Sequence, residues 1–135
     1  MGAWGHTNYA NDAAHDFAMD VTEQGVDKIK TAIHAVTSCG EEDLLESDEC
    51  CEALAAIEFI ATAKGKMAED FPENAEEWLA GKDVSELTSP ELIKESQQAI
   101  ARIKSNSELK ELWNEGEEFD EWVKVVDDLE KRISS

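Results

Sequence analysis

CCEALAAIEFIATAKG, residues 50–65, is the stretch whose reading decides the fold. Leu54, Ile57, Ile60 and Ala61 recur at helical spacing, and Ala53, Ala55 and Ala56 widen their stripe until little of the circumference is polar. A helix apolar almost all round is covered by neighbours on every side, so this segment is predicted to be the central buried helix of an all-α protein. Ser47 or Asp48 is placed to cap its start, and Gly65 to end it. One of the pair Cys50-Cys51 is expected to pack inward as a small hydrophobe.

The flanks must supply the covering helices. Toward the C-terminus, Phe71-Pro72 opens a short helix through Glu76, Glu77, Trp78 and Leu79 to Gly81, with proline early where its missing N–H costs nothing. Ser89 caps and Pro90 starts a further helix, whose Ile93, Ile100 and Ile103 face inward and which ends near Asn106. Ser107 caps a short helix carrying Leu109, Leu112 and Trp113. Beyond Gly116 the spacing of Phe119, Trp122, Val126, Leu129 and Ile133 marks a long C-terminal helix. Toward the N-terminus, Gly40 stops a helix striped by Ile29, Ile33 and Val36, and Gly25 ends one that Asn11 or Asp12 caps and that carries Ala14, Phe17, Ala18 and Val21. The first ten residues, MGAWGHTNYA, have no helical period and read as an ordered arm anchored by Trp4 and Tyr9. No alternation of strand type is present. The expected architecture is a single domain over residues 1–135, a compact bundle of about seven or eight short helices with an N-terminal arm.

Thirty-two Asp and Glu against 12 Lys and Arg leave a net charge of -20, while 41% hydrophobic content is enough for a packed core. Such a surface repels nucleic acid and the anionic membrane leaflet, both of which reward cations, so a macromolecular partner is expected to be cationic. The charge concentrates between residues 41 and 90, with 15 acidic and 3 basic side chains. Its densest parts are Glu41, Glu42, Asp43, Glu46, Asp48 and Glu49, then Glu69, Asp70, Glu73, Glu76 and Glu77. Carboxylates at helix starts favour the macrodipole without any partner, but that accounts for several of them and not for fifteen. If the two helix starts converge in space, the two clusters converge with them.

No apolar run reaches the roughly 20 residues that span a bilayer, and the start lacks the basic and apolar regions of a secretory signal, so the chain is expected in the cytoplasm. The opening Met-Gly does not read as a myristoylation signal, because His6 stands where Ser or Thr is needed. Three cysteines, two of them adjacent, suit a reduced compartment, and no CxxC or Cys-His spacing suggests zinc. His6, His15 and His34 are scattered with no nucleophile indicated beside them. No GxSxG, phosphate-binding loop, dinucleotide-binding glycine pattern, HExxH or calcium-loop spacing occurs. The residues therefore predict a binding protein without catalytic residues, metal or cofactor.

The start MGAWGHTNYANDAAHDF, the central CCEALAAIEFIATAKG and the late SNSELKELWNEGEEFDEWVKVVDDLEKRI together resemble the bacterial family of domain of unknown function 4259. The likeness covers essentially the whole chain. Met-Gly-Ala-Trp-Gly followed by Asn and Asp before a helix is a specific signature, as is Ser-Glu-Leu-x-x-Leu-Trp at residues 107–113. Members more typically carry Gly or Thr at the positions of His6 and Thr7. The resemblance implies a helical fold and supplies no catalytic residues to transfer. By analogy, small acidic helical proteins of this type look like the immunity proteins that accompany polymorphic and contact-dependent growth-inhibition toxins, whose toxic domains are often basic nucleases. The functional expectation is thus a monomeric immunity protein in a one-to-one complex. It would neutralise a cognate basic nuclease toxin, a ribonuclease for preference, by laying the two acidic clusters where substrate phosphates bind. An acidic interaction or scaffold module with no toxin partner is the alternative.

Overall fold

The computed structural model describes residues 8–9, 12–40, 42–68, 71–82 and 85–134. Seven helices run through them: α1 (Asp12–Gln24), α2 (Val26–Thr37), α3 (Ser47–Ala63), α4 (Glu73–Ala80), α5 (Pro90–Ser105), α6 (Glu108–Asn114) and α7 (Phe119–Ser134). No strand occurs among the described residues, and the arrangement is a compact all-α one.

Helix α3 is the axis. Every residue from Ala53 to Ala61 is buried, which requires cover on all sides, and each of the other six helices packs against it. Neighbour contacts order the surrounding helices as α4, α1, α2, α5 and α7, with α6 lying against α5 and α7. Between α7 and α4 the circle is crossed by the chain after α3, where Lys64 donates to the Ile133 carbonyl at 2.6 Å and Arg132 to the Lys66 carbonyl at 3.1 Å. Tyr9 is buried beside α3, its hydroxyl donating to the Ala55 carbonyl, and it meets Phe71 edge to face. Phe59 carries that contact inward to Phe71, Phe17 and Trp78. Tyr9 is thus a packing anchor, as expected; Trp4 and the rest of the arm apart from Asn8 lie outside the described residues.

Helix ends follow the sequence in most places. Ser89 and Ser107 accept from the backbone N–H groups of Leu92 and Lys110. Gly65 has φ +83°, with the Gly65 N–H bonded to the Thr62 carbonyl and the Lys66 N–H to that of Ala61. That pair of bonds satisfies two carbonyls at the end of α3 and needs the left-handed backbone glycine supplies. The start of α3 departs from expectation. Neither Ser47 nor Asp48 caps it; Glu46 holds the cap position without a side-chain bond, and the Ser47 N–H donates instead to the Glu108 carboxylate of α6 at 2.8 Å. A tertiary acceptor has taken the place of a local one. Pro72 likewise sits at the cap position of α4, one residue ahead of its first turn. α2 ends at Thr37, three residues before Gly40. Cys50 is buried and Cys51 half-buried, so one of the pair does pack inward.

One feature of α3 was not anticipated. Glu58 is 1% exposed in the apolar run. Arg132 of α7 donates to its Oε1 at 2.7 Å and its Oε2 at 2.9 Å, and Asn8 to Oε2 at 2.7 Å. Arg132 also reaches Asp128. Burial would lower the Arg132 pKa, but the hydrogen bonds and charges of Glu58 and Asp128 outweigh it and leave the guanidinium more firmly protonated than usual.

Candidate acidic interface

The predicted acidic residues divide into two sites. In the connector between α2 and α3, Glu42, Asp43 and Glu46 are exposed, Asp48 is exposed in the first turn of α3, and Glu49 is half-buried. The connector is held by Arg102 of α5, which donates to the carbonyls of Cys39 at 2.8 Å and Asp43 at 3.0 Å. This leaves the carboxylates outward and uses the cation on backbone. Leu45 is buried beneath them while Leu44 is 65% exposed. In the second site Glu73, Glu76 and Glu77 lie on the exposed face of α4, opposite buried Ala75 and Leu79. Glu41, Glu69 and Asp70 lie outside the described residues.

The two sites do not converge. Trp78 of α4 packs on Phe59, in the C-terminal half of α3, whereas the first cluster surrounds the start of α3. Glu46 stands thirteen positions before Phe59, roughly 20 Å along the helix at 1.5 Å per residue.

None of the described members of either cluster has an ion-pair partner among the described residues, and several of the basic side chains are engaged elsewhere. Lys30 pairs with Glu86, Lys104 with Asp127, Lys124 with Glu121, and Arg132 with Glu58 and Asp128. Lys82 lies over the Trp78 ring. The macrodipole favours the first-turn residues Asp48, Glu49, Glu73 and Glu76, by about 0.3–1 kcal/mol each at low salt. Glu46, at the cap position of α3, shares in this, but Glu42, Asp43 and Glu77 lie outside these first turns.

The sequence reading missed what joins the first cluster. A cleft of about 150 Å³ between α2 and α3 is lined by Lys28, Thr31, Ala32, Ala35, Glu49 and Glu52. Around Glu52 the fold gathers Asp20 from α1, Lys28 from α2, and Asp48 and Glu49 from its own helix. Burial raises the Glu52 pKa; Lys28 opposes the rise, and Asp48, Asp20 and Glu49 add to it. A carboxylate so placed is electrostatically under-compensated. The signal in the sequence was the spacing of Glu49 and Glu52, three apart and so on one face of the helix. Asp20 and Lys28 could be joined to them only by knowing how α1 and α2 cross α3.

The histidines offer less. His34 is exposed, 3.2 Å from the Glu95 carboxylate, to which the Thr37 hydroxyl also donates; this links α2 to α5. His15 is exposed against the edge of Tyr9, and His6 lies outside the described residues. Among the described residues no three His, Cys, Asp or Glu side chains gather as a metal site, and no helix is long and apolar enough to cross a membrane.

A family model, Domain of unknown function (DUF4259), matches residues 2–125. No curated protein and no solved structure matches the chain.

Proposed function

The chain belongs to the Domain of unknown function (DUF4259) family; since a fold alone assigns no activity, function has to come from the surface, and we propose that the protein is an immunity protein. It would bind and neutralise a basic nuclease toxin, a ribonuclease for preference, as a monomer in a one-to-one complex in the bacterial cytoplasm. The observation that supports this is the set of described carboxylates left without ion pairs in the connector and on α4, while Lys30, Lys104, Lys124 and Arg132 pair elsewhere. A nuclease groove presents Lys and Arg to a polyanion. A rigid surface of carboxylates competes for those groups, steers the encounter and excludes substrate, and no proton transfer is asked of it. Because the two clusters sit roughly 20 Å apart along α3, the connector cluster with its cleft is the stronger candidate for the phosphate-mimicking contact, and α4 serves as a flanking charge.

The test is stopped-flow and calorimetric binding, with a nuclease assay, using the C-terminal domain of a toxin encoded beside this gene. Ionic strength is raised from about 0.01 M to about 0.15 M, which shortens the screening length from roughly 30 Å to roughly 8 Å. Binding that abolishes cleavage and whose association rate falls steeply across this range supports the reading. A salt-insensitive association rate, or binding that leaves cleavage intact, overturns the phosphate-mimic mechanism.

A further inference from the structure

The cleft between α2 and α3 has the dimensions of one side chain. At about 150 Å³ it falls below the roughly 300–1,000 Å³ of pockets that enclose a whole small molecule. From α2 it is lined by Lys28, Thr31 and the small apolar side chains of Ala32 and Ala35, three positions apart. From α3 it is lined by Glu49 and Glu52, with Cβ atoms roughly 5–6 Å apart as for any i, i+3 pair on a helix.

We propose that this cleft is the anchor pocket for a single arginine side chain of the basic partner, the guanidinium lying between Glu49 and Glu52 and its methylene stem resting on Ala32 and Ala35. The proposal rests on the reading of the partner as a basic protein and specifies how it is gripped. Charge complementarity carries it: two carboxylates, of Glu49 and Glu52, line the cleft against one ammonium, that of Lys28, so the cleft has a net negative charge that an added cation offsets. Arginine fits better than lysine. Its planar fork presents five donors that two separated carboxylates can share, and it sheds water more readily when half-buried against apolar side chains. The exposed connector acids then govern how fast the partner arrives, and the cleft how long it stays.

The experiment is an amide chemical-shift titration of the full-length chain. The probes are a capped Gly-Arg-Gly peptide, its citrulline and lysine counterparts, and a nona-arginine peptide. The expected result is saturable shifts confined to the cleft with the arginine tripeptide, none with citrulline, and weaker ones with lysine. Glu52→Gln should weaken binding roughly tenfold or more, as loss of a charge-assisted hydrogen bond does. Lys28→Met should tighten it, a change that no loss of structure would produce. Unchanged amide dispersion in both variants confirms that they fold. Arginine shifts spread over residues 42–48 and 73–77 and indifferent to both variants would overturn the cleft while leaving the acidic-surface reading in place. Absence of any shift even with nona-arginine would overturn both.

Discussion

Replacing Arg132 with methionine removes a cation from a site where it cannot be spared. Glu58 is almost wholly buried, and Arg132 meets both of its carboxylate oxygens with a side chain only 16% exposed. Methionine keeps most of the aliphatic stem, so packing changes little, but a buried carboxylate loses its counter-charge and keeps a single neutral donor, Asn8. Breaking a buried pair from one side costs about 3–5 kcal/mol. With an unfolding entropy of roughly 2.1 cal/mol/K per residue, a loss of about 4 kcal/mol in a chain this long lowers Tm by roughly 14 °C. Calorimetry and urea denaturation of Arg132→Met measure both numbers. The decisive control is the double variant Glu58→Met with Arg132→Met. It removes the desolvated charge altogether and should recover most of the loss, less the roughly 1 kcal/mol of the hydrogen bond Asn8 gives up. A single variant within about 1 kcal/mol of the parent would mean that the pair behaves as an exposed one, and a double variant as unstable as the single would mean that the loss is not that of an uncompensated charge; either result would refute the reasoning.

Other consequences are as direct. Ser107→Ala should cost about 2 kcal/mol and Ser89→Ala about 1 kcal/mol in urea titration, because Ser107 caps α6 and is buried with a further bond to the Ile103 carbonyl, whereas Ser89 makes the cap bond alone. Ile57→Ala, at the covered centre of α3, should lose about 2–5 kcal/mol through the cavity it leaves. Burial pushes the thiols of Cys50 and Cys51 from the usual 9.0 up to about 12, so the folded chain holds their protons where the unfolded chain has released them. Their contribution is therefore intact below pH 9 and lost as pH rises from 9 through 12. Iodoacetamide at neutral pH should spare both cysteines until urea is added, and early labelling of either would contradict their burial.

What could be read from residues alone was whatever depends on neighbours along the chain. The run from Ala53 to Ala61 has no polar face to offer water, so α3 had to be central, and Ser89-Pro90 and Ser107 start helices because their hydroxyls reach backbone two or three residues on. What escaped depends on partners far along the chain. Glu58 looks like a tolerated charge until Arg132, 74 positions later, is folded beside it. Ser47 has the chemistry of a cap, yet the start of α3 is satisfied from Glu108. Leu44 and Leu45 are indistinguishable in an acidic connector, and only the docking of that connector buries the second. The acidic clusters were visible as charge; their separation along α3, and the recruitment of Asp20 and Glu52 to the first of them, belong to the crossing of helices.

The exchange between the starts of α3 and α6 has a kinetic side. Glu108 N–H donates to the Leu45 carbonyl at 2.9 Å while the Glu108 carboxylate accepts from Ser47 N–H. Two segments some sixty residues apart thereby close each other's first turns. Neither end can fray alone, because releasing one strands polar groups of the other. Deuterium uptake at the Ser47 amide should therefore report the docking of α6 and not the local helix, and the two segments should open as one cooperative unit. The connector that carries the exposed carboxylates is stapled at its far end by a helix it meets only late in synthesis, so its folded shape exists only once the C-terminal third of the chain has folded.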